Sequence, residues 1–132
     1  MTLLLGLRTV IYPAADLAAS KGWFAGTLGV EPYFDEPFYV GFDVGGYELG
    51  LVPAADGPSA PTTYWGVADA DAAVKQLLEA GASAGDAVTD VGGGIRVATV
   101  IEPGGATIGV IENPNFQLPS DAGAPQSDGP GR

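Results

Sequence analysis

Few side chains in this sequence can do chemistry, and their types narrow the possible reactions. Among the 132 residues there is no Cys and no His. That removes thiolate nucleophiles, disulfides and thiolate metal sites, together with the commonest general base and metal ligand. Ser20 and Ser83 therefore have no imidazole to activate them, which excludes a Ser-His-Asp hydrolase. Gly92-Gly93-Gly94 is followed by a short strand pattern rather than a helix N-terminus, so it is no phosphate-binding loop. Carboxylate, phenol and aromatic chemistry remain. Glu48 has three uses open to it, accepting a hydrogen bond, acting as a general base or meeting a cationic ligand, unless it is a rim residue in water beside Gly45-Gly46. Tyr64 either stacks on a planar ligand and donates its hydroxyl, or fills space. Tyr33, Phe34, Phe38 and Tyr39 surround the acidic turn Asp35-Glu36-Pro37, as flat faces for a ligand or as packing across a hairpin or a dimer. Trp23 beside Phe24 reads as core or interface, and Arg96 as a solvated charge.

Charge and length limit the partners. Sixteen acidic residues against five basic ones give a net charge of -11, and the basic residues are scattered rather than clustered, so no nucleic acid is expected to bind. No apolar run approaches the roughly 18 to 20 residues of a membrane span. The start, Met1 to Gly6, is too short and insufficiently basic for a secretion signal, so a cytoplasmic protein without a membrane partner is expected. The chain is about one domain long. Residues 1–116 are read as that domain, and 117–132, rich in Pro, Gly, Ser and Asp, as a flexible tail. Ala54 to Pro61 reads as a linker between halves.

The elements that must position these side chains recur. A shift of 53 residues lays Thr9 on Thr62 and Asp16 on Asp69, each a β-prone run followed by an Asp N-cap and an apolar-periodic stretch. A shift of 59 lays Gly45-Gly46 on Gly104-Gly105, Asp43 on Glu102 and Gly50 on Gly109, a tight hairpin in each half. The pattern predicts an α+β fold of two tandem βαβββ units, about 7–53 and 62–116. Strands are expected near 7–12, 30–34, 39–44, 47–52, 62–67, 86–90, 95–102 and 107–111, with helices near 17–28 and 70–80, the second stopped by Gly81.

Asp16, Leu17, Ser20 and Phe24 followed by Leu28-Gly29-Val30, then Asp69 to Val74, Glu102-Pro103-Gly104-Gly105 and Val110 to Pro114, stand in an order that resembles the vicinal-oxygen-chelate superfamily, of glyoxalase/bleomycin-resistance type, over residues 7 to 116. The resemblance implies a concave mixed sheet around a cavity lined by the first and last strands of each unit. Metal enzymes of that superfamily carry His or Gln on the first strand and Glu on the fourth. The matching positions here are Thr9, Thr62, Gly50 and Gly109. Gly has no donor atom and a neutral Thr hydroxyl is a poor ligand, so neither metal nor cofactor is expected.

Strand alternation then sorts two faces. Thr9, Ile11, Glu48, Gly50, Thr62, Tyr64 and Gly109 share the cavity face, while Val10, Leu49, Leu51, Trp65, Val67 and Val110 lie beneath the helices. With Tyr39 added from the aromatic cluster, as implied by drug-binding relatives that sandwich flat ligands, the first set forms the candidate ligand site. Gly50 and Gly109 leave space for a ligand or, alternatively, accommodate sheet curvature or a large neighbour such as Tyr64. The reading is a metal-independent binder of a planar or cationic small molecule, an antibiotic or secondary metabolite, acting as a homodimer. A metal-free lyase or isomerase using Glu48 and Tyr64 and a partner-binding module with a vestigial cavity are the alternatives.

Overall fold

Both helices start where an aspartate caps them. Asp16 Oδ1 accepts from the Ala19 N–H at 3.0 Å and Asp69 Oδ1 from the Ala72 N–H at 3.1 Å, satisfying donors that a first helical turn leaves without partners. The computed structural model describes residues 3–54 and 60–116, in which these caps open α1 (Leu17–Leu28) and α2 (Ala70–Glu79). The segment from Gln117 onward and most of the loop between the halves lie outside the described residues.

The strands are β1 (Gly6–Ala14), β2 (Phe34–Glu36), β3 (Tyr39–Val44), β4 (Tyr47–Pro53), β5 (Thr62–Gly66), β6 (Ser83–Ala84), β7 (Thr89–Gly92), β8 (Ile95–Ile101) and β9 (Thr107–Glu112). They form one curled sheet in the order β2-β3-β4-β1-β5-β9-β8-β6, with β7 also on β8. The repeat is visible in the register. The β1–β4 pairs Val10↔Leu49, Ile11↔Gly50 and Tyr12↔Leu51 are matched by the β5–β9 pairs Thr63↔Ile108, Tyr64↔Gly109 and Trp65↔Val110, both parallel. The hairpin turns match too: the Asp43 carboxylate accepts from the Gly46 N–H at 2.8 Å, and that of Glu102 from the N–H groups of Gly104 and Ala106 at 2.6 and 2.9 Å. These two donors hold the Glu102 carboxyl below the usual carboxylate range.

The units join edge to edge where β1 runs antiparallel to β5. That register holds a β-bulge: Leu7 faces Trp65 and Thr9 faces Tyr64, leaving Arg8 as the extra residue.

Each helix covers the convex side of its own unit. Under α1 the buried set is Val40, Phe42, Leu49 and Leu51, capped by Leu17, Phe24 and Leu28. Under α2 it is Val67, Ala98 and Val110 with the helix's own Ala70 and Ala73. Alanine at these helix positions lets the backbone approach the sheet closely, whereas α1 buries no residue completely. No helix of the described residues is long and apolar enough to cross a membrane.

Five expectations change. The strand expected at 30–34 starts only at Phe34, because Gly29 ends α1 at φ 74 and Pro32 supplies no N–H; the Tyr33 N–H is the first to reach β3, at the Gly41 carbonyl. The strand expected at 86–90 lies at 89–92: Gly85 and Asp86 still exchange backbone hydrogen bonds with Thr99, whose Oγ1 takes the Asp86 N–H at 2.7 Å, and regular pairing with β8 resumes only at Thr89. Trp65 is half-buried outside both clusters, and Trp23 is 64% exposed, which leaves it no core role. Arg96 is not a free solvated charge. It reaches Asp71 at 2.5 Å and Glu112 at 3.2 Å, and Glu112 also accepts the Ala70 N–H at 2.9 Å, so the arginine ties the start of α2 to β8 and β9.

Candidate functional site

The concave side of the sheet holds a cleft of about 590 Å³. Residues of both units meet there because β1 and β5 are neighbours: Thr9, Ile11, Tyr39 and Glu48 from the first, Tyr64 and Ile111 from the second. Five of the eight candidate residues therefore line one space, namely Thr9, Ile11, Tyr39, Glu48 and Tyr64. Thr62 is half-buried opposite Ile11 and does not line it.

Gly50 and Gly109 do not line it either, and the reading that they hold open space is corrected. Tyr39 lies over Gly50, where an added Cβ would collide with its hydroxyl and ring, and Tyr64 lies over Gly109, where a Cβ would stand 2.5 Å from Cδ2. Each ring occupies the volume that a longer side chain would need. Gly41 repeats the pattern, with Tyr33 Cε1 at 3.0 Å from a Cβ built there. Three tyrosine rings thus rest on three glycines of the concave face.

Glu48 is half-buried in the cleft rather than out in water. Thr9, only 7% exposed, donates its hydroxyl to Oε1 at 3.1 Å, and Tyr33 donates to Oε2 at 2.5 Å. The Tyr39 hydroxyl lies in the field of the same carboxylate. Burial, reinforced by Glu48, pushes the Tyr33 and Tyr39 phenols well above their ordinary range, and burial does the same to Tyr64 more weakly, with Asp86 contributing. All three remain protonated donors through neutral and mildly alkaline pH. Across the cleft the wall is aliphatic, formed by Val91, Ile95, Val97 and Ile111, while Phe34 and Phe38 close the first unit's end.

Two features were missing from the sequence reading. Tyr33 was placed among the aromatics but not as a Glu48 partner, because a strand was expected to carry it. Arg8 was not singled out, because alternation cannot foresee a bulge.

A profile of the Glyoxalase/Bleomycin resistance protein/Dioxygenase superfamily matches residues 6–110. The chain belongs to this superfamily. Comparison with curated proteins returned no significant match. Among solved structures, methylmalonyl-CoA epimerase from Mycobacterium tuberculosis superposes with a TM-score of 0.70 at 20% identity, over 86% of this chain and 91% of that one. A glyoxalase/bleomycin resistance protein/dioxygenase superfamily member from Vibrio splendidus 12B01 gives 0.64 at 18% identity, over 81% and 99%. The Mn(II)-bound glyoxalase from Novosphingobium aromaticivorans gives 0.69 at 21% identity, over 86% of this chain but 40% of that one. These likenesses establish the shared glyoxalase-type fold.

A divalent metal of the kind some superfamily members hold does not fit the corresponding positions of this chain. The Thr9 hydroxyl is committed to Glu48, Thr62 offers one neutral hydroxyl, and tyrosine rings cover Gly50 and Gly109. No group of three His, Cys, Asp or Glu side chains that could hold a metal ion occurs among the described residues.

Proposed function

We propose that this glyoxalase-superfamily chain is a metal-independent binder of a planar small molecule, sequestering an antibiotic or another secondary metabolite. One observation carries the reading: where metal enzymes of the fold present ligand side chains, this chain lays the rings of Tyr39 and Tyr64 against a 590 Å³ cleft. The volume suits a drug-sized ligand, and the lining is apolar with a few convergent polar groups, the usual make-up of a small-molecule site. Aromatic and aliphatic walls take the flat body of the ligand, and Glu48 takes a hydrogen-bond donor or a cationic group.

The test uses an acridinium dye and the neutral acridone, titrated against chelator-treated and untreated protein. Both preparations are expected to bind equally, with no stoichiometric Zn, Ni, Mn or Fe by elemental analysis. Glu48→Gln is expected to weaken the acridinium about tenfold while leaving acridone nearly unchanged, because a hydrogen bond to a charged group exceeds a neutral one by about that factor. Metal-dependent binding, or no binding of either dye, refutes the reading. Glu48 and Tyr64 both face the cleft, which favours a metal-free lyase or isomerase as the second reading; product formation from a bound compound would replace the first with it.

A homodimer in the cytoplasm belongs to the same proposal. Its support is the exposed Trp23 on α1, flanked by Gly22 and Gly26 with open space above both. Light scattering is expected to give twice the chain mass, and a monomer at micromolar concentration counts against it.

A further inference from the structure

The β1 bulge places a cation where this acidic chain has little reason to keep one. Arg8 is half-buried, and among the described residues no carboxylate lies within ion-pair distance of it, although Lys21 and Arg96 both have such partners. Its side-chain hydrogen bond goes to the carbonyl of its own neighbour Leu7, at 3.3 Å. A net charge of -11 would supply a counter-charge easily if ion pairing were the purpose.

Three features hold the guanidinium in place instead. The bulge adds the residue that turns Arg8 away from strict alternation. Gly66, on the concave face with Tyr64, leaves room for it: a Cβ there would stand 2.6 Å from Arg8 Nε. Gly66 does not have a positive φ, so its backbone does not demand glycine. The Phe116 ring lies beneath the guanidinium, with Cζ 3.9 Å from the ring centroid.

Arg8 faces a second cavity, of about 250 Å³, which shares Thr9, Tyr33, Glu48 and Asn113 with the main cleft and adds Asn115. The two acids on its wall take donors from elsewhere in the protein, Asp43 from the Gly46 N–H and Glu48 from Thr9 and Tyr33, and neither forms an ion pair with the guanidinium among the described residues. The guanidinium makes one side-chain hydrogen bond within the described residues and keeps its other N–H donors for a ligand.

From this geometry we infer that Arg8 forms an anion subsite continuous with the cleft, which holds a carboxylate carried by the planar ligand. The inference deepens the proposed binding function and rests on it. With a donor or cationic group at Glu48 and a carboxylate at Arg8, the preferred ligand is amphoteric.

Naphthalene carboxylate and the isosteric naphthalene carboxamide separate the two ideas by calorimetric titration. Wild-type protein is expected to bind both, the carboxylate about tenfold more tightly. Arg8→Gln should remove that preference while retaining the carboxamide, and Gly66→Ala should reduce it by displacing the guanidinium. Retained carboxamide binding shows that the variants are folded. If wild-type and Arg8→Gln bind the carboxylate equally, the subsite is refuted and the cleft stands. If wild-type binds neither compound, the cleft reading fails and takes the subsite with it.

Discussion

Gly109→Ala is expected to destabilise the protein by about 1–3 kcal/mol, the usual cost of forcing extra volume into a packed site. The added methyl would stand 2.5 Å from Tyr64 Cδ2, with two more ring atoms at 2.7 Å. The strand cannot recede, because Gly109 pairs with Tyr64 on one side and Thr99 on the other. The ring must therefore tilt into the cleft. A double-mutant cycle isolates this contact: in a Tyr64→Ala background the same substitution should cost almost nothing, giving a coupling close to the whole single-mutant loss. Denaturant unfolding of the four proteins measures it. Equal stability of Gly109→Ala and wild type, or additive losses, would contradict the placement of the ring. A leucine at this position would have to evict Tyr64, because the ring already occupies the space above Gly109.

Phe42→Ala should cost more, about 3–5 kcal/mol, the range for deleting a buried phenyl ring. Phe42 is 0% exposed, and its ring lies 6.4 Å from that of Phe24 on α1. That helix buries none of its own residues completely and docks through the half-buried Leu17, Phe24 and Leu28. Its attachment depends on the surface it rests on, so the lost ring should be felt there first. Hydrogen exchange is expected to show α1 losing amide protection well before α2, which keeps Ala70 and Ala73 fully buried and its start tied down through Glu112 and Arg96. Unchanged protection in α1 would mean that Phe42 supports the sheet alone.

Much of the architecture was legible because the chain states it twice. The capping aspartates, the paired hairpins and the shifts of 53 and 59 led to an α+β fold of two βαβββ units, and the structure adds the parallel pairing of β1 with β4 and of β5 with β9 at matching positions, Ile11↔Gly50 and Tyr64↔Gly109. Alternation placed Glu48 and Thr9 on one face, and they are cross-strand partners joined by a hydrogen bond. The glycines were harder. Composition shows that a side chain is missing but not what occupies the gap, and the ring over Gly50 belongs to Tyr39 on the neighbouring β3. Arg8 was invisible for a different reason: one extra residue in a strand reverses the facing of the side chain it carries, and no local composition signals it.

The matched registers have a further consequence. The two halves share a backbone plan, yet Glu48 is answered in the second unit by Thr107, one shift of 59 away, and Tyr39 faces a wall of valine and isoleucine. The twofold symmetry of the scaffold is thus lost at the level of side chains. A guest molecule turned end over end would meet the same curvature but the wrong chemistry at each end. The cleft is therefore polarised: under the proposed binding function it would admit a lopsided guest in one orientation, and a guest with identical ends would satisfy only half of it.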